Sequence, residues 1–220
     1  MGKTLIAWSG GKDSAWTLQR LRGAPRIQIA GLFTTVDADD GSVAVHAVRR
    51  PLLDAQVQAT GLPLYTVAVP ARCSNAIYEV AMAGFVESAM LDGVTQLAFG
   101  DLFLEDIRRY RERQFAKSGL ELLFPLWGEP TRALAEEMVD GGLRARIVCV
   151  DLAQAPREWA GKTYDPGFVA RIPEGIDPCG ERGEFHTFAY AGPMFHGPLA
   201  TRVAETSERD GFVYAELAVA

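Results

Sequence analysis

Short apolar runs alternate with helix-length amphipathic segments over the first 125 or so residues, and this alternation is the strongest constraint on the fold. The runs are Thr4 to Trp8, Ile27 to Thr35, Leu64 to Val69, Gln96 to Phe99 and Leu122 to Phe124. They are continuous in hydrophobicity, as strands buried on both faces must be, and lack the in–out alternation of half-exposed antiparallel strands. Between them lie helical patterns. Ala15, Trp16, Leu18 and Leu21 recur at helical spacing before Gly23-Ala24-Pro25. Leu52 to Thr60 is entered at Pro51 and closed by Gly61, the usual asymmetry of helix ends. Asn75 to Leu91 is a long amphipathic helix, and Leu104 to Lys117 a strongly charged one. Strand–helix alternation of this kind predicts an α/β fold with a doubly wound, five-stranded parallel sheet.

The last third changes character. A helix over Pro130 to Val139 is stopped by Gly141-Gly142 and followed by a strand, Arg146 to Val150. A Gly/Pro-rich stretch runs from Pro166 to Gly183. Two closing strands, Arg202 to Thr206 and Phe212 to Leu217, flank Arg209-Asp210-Gly211, and Asp-Gly in that place signals a hairpin. The chain is therefore divided into an α/β domain over 1–128 and a smaller α+β region over 129–220. No internal repeat and no flexible Gly/Ser linker separates them.

Composition removes several classes. The 220 residues are 48% hydrophobic and 23% charged, as in ordinary globular proteins. No stretch approaches the roughly 20 apolar residues that span a bilayer, and the N-terminus has no signal-peptide anatomy. The 22 Lys+Arg against 28 Asp+Glu give a net charge of −6, which argues against binding nucleic acid mainly through its phosphates. Cys73, Cys149 and Cys179 form no CxxC, and His46, His186 and His196 no HExxH, so neither a disulfide framework nor a zinc ribbon is expected. A cytoplasmic protein is the simplest reading.

Ser9-Gly10-Gly11-Lys12-Asp13-Ser14 carries the most chemistry per residue, between the first strand and the first helix. Adjacent glycines let backbone N–H groups turn toward an anion, and the helix N-terminus adds partial positive charge. Ser9 and Ser14 offer hydroxyls and Lys12 a point charge, a cradle suited to a phosphate chain. It is not a Walker A loop, because Ile6 stands where a glycine is needed and Asp13 where Ser or Thr is needed. Nor is it GxGxxG. A glycine turn with Asp13 or Ser14 as helix cap is the bland alternative.

The second dense segment is Asp177-Pro178-Cys179-Gly180-Glu181-Arg182-Gly183-Glu184-Phe185-His186-Thr187. Gly180 and Gly183 allow a tight backbone path. If a strand follows Gly183, Glu184 and His186 share one face and Phe185 and Thr187 the other. A carboxylate beside an imidazole suits binding an amine or moving a proton; a polar edge strand is the alternative.

Ser9 to Ser14 resembles the SGGxDS loop of the N-type ATP pyrophosphatases. Gly180 to Phe185 resembles the GExGE(F/Y) signature of the diphthine–ammonia ligase family, their ATP-binding relatives. Phe99-Gly100-Asp101, Pro125-Leu126-Trp127-Gly128 and Gly192-Pro193-Met194-Phe195 agree, so the resemblance covers residues 4 to about 198. It implies the strand order 3-2-1-4-5 and an ATP-dependent ligase. Such a ligase splits ATP into AMP and pyrophosphate, adenylates the carboxylate of diphthine on elongation factor two, and lets ammonia displace AMP. By resemblance, Ser9, Gly10, Gly11, Lys12, Asp13 and Ser14 hold ATP and pyrophosphate, while Gly180, Glu181, Gly183, Glu184 and His186 line the acceptor site. Lys12, Asp13, Asp101 and Glu184 are the catalytic candidates, with Mg²⁺ as cofactor and Asp13 and Asp101 as its candidate ligands. Leu102 to Arg111 is closer to a bacterial-type branch, which leaves the acceptor open: a carboxylate on a small molecule or on a protein side chain. Eukaryotic members are expected to carry further C-terminal domains for which this chain has no room.

At the switch point of that strand order, Asp101 faces the phosphate loop, or else caps the next helix. Glu105 and Arg109 are set for an i,i+4 pair on a solvated helix face, with one neighbouring arginine a candidate for an anionic ligand. His46 precedes a helix within possible reach of a nucleotide, and Cys179 reads as packing. Two other functions stay open: a nucleotide sensor that binds ATP without ligase activity, and an RNA-modifying ATP pyrophosphatase. The oligomeric state is open too, a homo-oligomer included.

Overall fold

The computed structural model describes residues 2–39, 41–43, 49–71 and 73–220. The elements of the first part are β1 (Gly2–Ala7), α1 (Lys12–Arg22), β2 (Ile27–Asp37), α2 (Arg50–Thr60), β3 (Leu64–Val69), α3 (Asn75–Leu91), β4 (Val94–Ala98), α4 (Glu105–Phe115) and β5 (Glu121–Leu123). The second part contains α5 (Thr131–Asp140), β6 (Arg144–Asp151), β7 (Thr163–Tyr164), α6 (Pro166–Val169), β8 (Phe185–Ala191), β9 (Thr201–Arg209) and β10 (Phe212–Val219).

Strands β1 to β5 pair in parallel in the order β3-β2-β1-β4-β5, as the resemblance implied. Consecutive residues face opposite ways and both sides are buried. Leu5, Phe33 and Leu97 pack with Met82 and Val86 of α3 and Phe115 of α4. Ile6, Leu32 and Ala98 pack with Trp16 and Leu18 of α1 and Leu53 of α2. Two helical layers therefore explain the unbroken apolar strands. The expected bounds of β3 and α3 coincide with those observed, and other ends shift by a few residues, as element ends do.

The second part is built on β6, which pairs antiparallel with β7, β8 and β10, with β9 outside β10. The expected hairpin is present: Arg209 faces Phe212, and Asp210 (φ 52°) and Gly211 (φ 81°) form the connection. Positive φ at both residues is what a two-residue hairpin turn of the favoured hand needs. Two features were not foreseen. The Gly/Pro-rich stretch holds the short helix α6, where the Asp165 carboxylate accepts from Phe168 N at 2.8 Å. Strand β7 just precedes it.

The two parts share a core. One buried cluster joins Trp8, Trp16 and Leu18 to Met138, Ile147 and Phe188. Strand β8 lies against the loop after β1, with Ala189 N donating to Gly10 O at 2.9 Å. Among the described residues, no helix is long and apolar enough to cross a membrane.

Candidate active site

The loop between β1 and α1 lies at the switch point, since β1 pairs with β2 on one side and β4 on the other. Gly10 has φ 78°, and a Cβ there would stand 2.9 Å from Gln56 Oε1, so conformation and space both require glycine. Gly11 is the N-cap of α1, and no side chain caps that end. The bland alternative, Asp13 or Ser14 as cap, is therefore not what the structure shows. Ser14 Oγ instead donates to Gly11 O (3.0 Å) and is paired with Ser9 Oγ (3.2 Å), while Gly11 N donates to Ser9 Oγ (3.3 Å).

Two anchors that the sequence did not single out hold this loop. Gln56 of α2 is fully buried: its Nε2 donates to Gly10 O (2.9 Å) and Ala189 O (2.6 Å), and its Oε1 accepts from Trp8 Nε1 (2.8 Å). Thr187 of β8 takes Lys12 N on its hydroxyl at 3.1 Å. The signal for Gln56 was present, because Leu52, Gln56 and Thr60 recur at i,i+4,i+8 on the buried side of α2.

Lys12 is buried, with Nζ donating to Asp13 Oδ1 (2.9 Å), Asp13 Oδ2 (2.8 Å) and the Cys179 carbonyl. Burial by itself favours the neutral amine and likewise pushes the Asp13 carboxyl up, but Asp13, Cys179 and Glu181 together outweigh it at Lys12, whose pKa is raised. The ammonium is thus charged at neutral pH and bridges both sequence segments.

The Asp177–Glu184 segment is a chain of turns closed by its own carboxylates. Asp177 accepts from Cys179 N (3.3 Å) and Glu181 N (2.8 Å). Glu184 is buried and accepts from Asp177 N (3.1 Å) and Arg182 N (3.0 Å). Gly180 has φ 67°, and a Cβ there would meet Phe185 O at 2.7 Å. Cys179 serves through its carbonyl; its buried thiol faces Thr131 O, and burial holds its pKa far above the ordinary thiol range.

Glu181 ties this segment to the loop after β4, accepting from Leu102 N at 2.8 Å. Burial pushes its pKa up to about 7, against the opposing pull of that hydrogen bond. A carboxyl whose folded pKa lies above its unfolded value loses stabilising protonation as pH rises between the two. Wild type is therefore expected to lose stability relative to Glu181→Gln between pH 4.5 and about 7, and no further above. After discount for partial exposure, the difference is on the order of 2 kcal/mol. Urea melts of both proteins at pH 5 and pH 8 measure it; a pH-independent difference would contradict the assignment.

These elements enclose one cavity of about 370 Å³. One side of its lining is formed by Ser9, Gly11, Lys12, Asp13, Ser14 and the Cys179–Glu181 turn, with His186 and Thr187 of β8. Burial lowers the His186 pKa, and Lys12 adds to the effect. The rest of the lining includes Phe33, Tyr78, Met82, Phe99, Asp101 and Arg111. Gly10, Gly183 and Glu184 lie behind the wall, shaping turns. Asp101 does not cap α4, whose N-cap is Leu104; it pairs with Arg111, Nε to Oδ2 at 2.6 Å and Nη2 to Oδ1 at 3.1 Å. The expected Glu105–Arg109 pair is present at 3.5 Å on the exposed face. His46 lies outside the described residues.

Among the described residues, no three His, Cys, Asp or Glu side chains cluster as metal ligands. Asp13 and Asp101 are each already paired with a cation of the protein. This donor set suits a magnesium ion carried mainly by phosphate oxygens rather than one caged by the protein.

Two family models match the chain: the diphthamide synthase N-terminal domain over residues 2–122 and the diphthamide synthase C-terminal domain over 130–216. The chain belongs to the diphthamide synthase family. The relatives it resembles include the diphthine–ammonia ligase of Rattus norvegicus, 29% identical over 226 residues, covering 91% of this chain and 82% of the relative. The diphthine–ammonia ligase of Homo sapiens is 26% identical over 233 residues, covering 96% of this chain and 86% of the relative. Coverage that complete leaves no space in these two family members for the large extra domains expected of eukaryotic ones. That expectation is corrected.

Proposed function

We propose that this diphthamide synthase family protein is an ATP-dependent, amide-forming ligase that splits ATP into AMP and pyrophosphate. The observation that carries this reading is the Lys12 ammonium, held between Asp13 of the phosphate loop and the Cys179 carbonyl of the second segment. A fixed positive charge there makes the phosphate loop and the Glu181–His186 wall one site. In the reaction, an oxygen of the acceptor carboxylate attacks the α-phosphorus and the bond to the β-phosphate oxygen breaks. Ammonia then attacks the acyl carbon and AMP leaves. Amides at the start of α1, the Ser9 and Ser14 hydroxyls and Lys12 stabilise charge developing on pyrophosphate, which lowers the barrier rather than only tightening substrate binding. A magnesium ion carried by the nucleotide beside Asp13 would supply neutralisation of phosphate charge. Glu181, with its pKa near 7, is suited to take the proton that the attacking amine must lose.

The same reading gives residues 1–128 to ATP and 129–220 to the acceptor wall. The family-model matches, which end at 122 and resume at 130, support that division. Gly180, Glu181 and His186 face the acceptor, and Gly183 and Glu184 shape the turn behind them. The acceptor is a carboxylate; diphthine, which the relatives' name carries, is the first to test, on the elongation factor two that the family resemblance implies. Three free cysteines, two of them buried, fit a cytoplasmic setting.

The test uses ATP labelled at the α-phosphate, with ammonia and either diphthine-bearing elongation factor two or a panel of small carboxylic acids. Label is expected in AMP, in an amount that depends on both acceptor and ammonia. Label in ADP would refute the reading.

A further inference from the structure

Arg111 is the charged side chain of the cavity that neither the phosphate loop nor the Asp177–Thr187 segment explains. Its Nε and one hydrogen of Nη2 are taken by Asp101, at 2.6 and 3.1 Å. One face of the guanidinium lies over the Phe99 ring, with Cζ 4.4 Å from the centroid. Among the described residues no other acceptor takes the remaining N–H groups. Nη1 and the second hydrogen of Nη2 thus form a free edge on a side chain that lines the cavity and is 26% exposed.

This differs from an ordinary surface ion pair. On the same helix, Arg109 and Glu105 pair with side chains 62% and 75% exposed, where the contact is worth little. Arg111 and Asp101 are 26% and 13% exposed, and Tyr78 and Phe115 bound the cavity beside them. A guanidinium clamped on one edge and stacked on one face has lost most of its rotamer freedom before any ligand arrives. Its outer edge then presents two parallel N–H groups in the geometry that phosphate and carboxylate oxygens accept.

We propose that Arg111 is an oxyanion-binding residue of the cavity and that Asp101 is its positioning residue. The ligand group is a planar or tetrahedral oxyanion, either the phosphate tail of ATP or an anionic group of the acceptor. Asp101 acts through Arg111 in this assignment, in place of holding a metal ion. The proposal deepens the ligase reading by naming what the Arg111 side of the site recognises, yet it requires only binding, so it stands or falls separately from the chemistry.

The test measures binding by titration calorimetry to wild type, Arg111→Met, Arg111→Lys and Asp101→Asn, with pyrophosphate, AMP and glutarate as probes. If the fork holds phosphate, Arg111→Met weakens pyrophosphate about 10- to 100-fold and leaves AMP and glutarate within about twofold. If it holds the acceptor, the same loss falls on glutarate alone. Arg111→Lys recovers part of the loss in either case, and Asp101→Asn reproduces a smaller loss for the same probe. Thermal melts of the four proteins accompany the titrations: a purely structural pair lowers the melting temperature with no selectivity among probes. Equal affinities across all variants, or equal losses for all three probes, would overturn the proposal. An AMP-forming assay that failed while the selective loss persisted would count against the ligase reading and leave this one standing.

Discussion

The Lys12→Met variant is expected to form AMP about 10²–10³-fold more slowly than wild type, the usual cost of removing one preorganised charge-stabilising donor. The fall should appear in kcat and in kcat/KM together, because the interaction strengthens as charge develops on the departing pyrophosphate. The same variant is expected to lose stability. Asp13 keeps only 26% of its side-chain surface exposed and Lys12 3%, so removing the ammonium leaves a largely buried carboxylate without its counter-charge. Breaking such a pair costs about 2–4 kcal/mol, the lower part of the usual range because Asp13 reaches solvent. The double variant Lys12→Met, Asp13→Asn separates the two effects. It should recover most of the stability, since no charge remains unpaired, while AMP formation stays depressed. Urea melts and steady-state rates on the three proteins check this. Recovery of activity in the double variant would mean that Lys12 only neutralises Asp13.

The second large effect is expected at Gln56. In Gln56→Leu the Trp8 indole N–H and the Ala189 carbonyl both lose their partner, and Gly10 O keeps only the Ala189 amide. Each buried polar group left unsatisfied costs about 1–3 kcal/mol, so a total of about 3–5 kcal/mol is expected. In a chain of this size that lowers the melting temperature by roughly 10 °C. ATP affinity should fall as well, because Gln56 is the brace that ties the phosphate loop to β8. Gly10→Ala attacks the same brace from the other side, through the 2.9 Å approach of Gln56 Oε1 and the positive φ. Melting curves and ATP titrations on both variants measure the effect; a Gln56→Leu protein as stable as wild type would show that the network is not needed to hold the loop.

What the sequence made legible, and what it hid, follows from the range of the interactions. Local signals were reliable. The continuous runs of β1, β2 and β4 announced strands buried on both faces, whereas β3, at the sheet edge, exposes Thr66 and Ala68; Pro51 and Gly61 framed α2, and Asp210-Gly211 marked the hairpin. The loop after β1 stood out because its candidate chemistry is contained in six consecutive residues. The supports of that loop did not, because they come from far away: Gln56 lies 46 residues from Gly10, and Thr187 lies 175 from Lys12. Glu184 shows the limit of face arguments. A strand after Gly183 was expected to set it beside His186, but β8 begins at Phe185, and the glycine turn swings Glu184 inward to accept backbone amides. Glu181, in contrast, both faces the cavity and reaches across to Leu102. Asp101 was legible by its position at the end of β4; its partner Arg111, ten residues on, was one of several arginines on a charged helix, and only the fold distinguishes it from Arg109.

The central claim is that this cavity breaks ATP between its α and β phosphates in order to activate a carboxylate. Exchange of labelled pyrophosphate into ATP, run without ammonia, tests it most directly, because only a reversible adenylation step returns pyrophosphate to the nucleotide. With diphthine-bearing elongation factor two or an active small acid as acceptor, label should enter ATP at a rate that requires the acceptor and that falls in Lys12→Met. Acceptor-dependent ATP consumption with no label entering ATP, and with ADP as the product, would contradict the account.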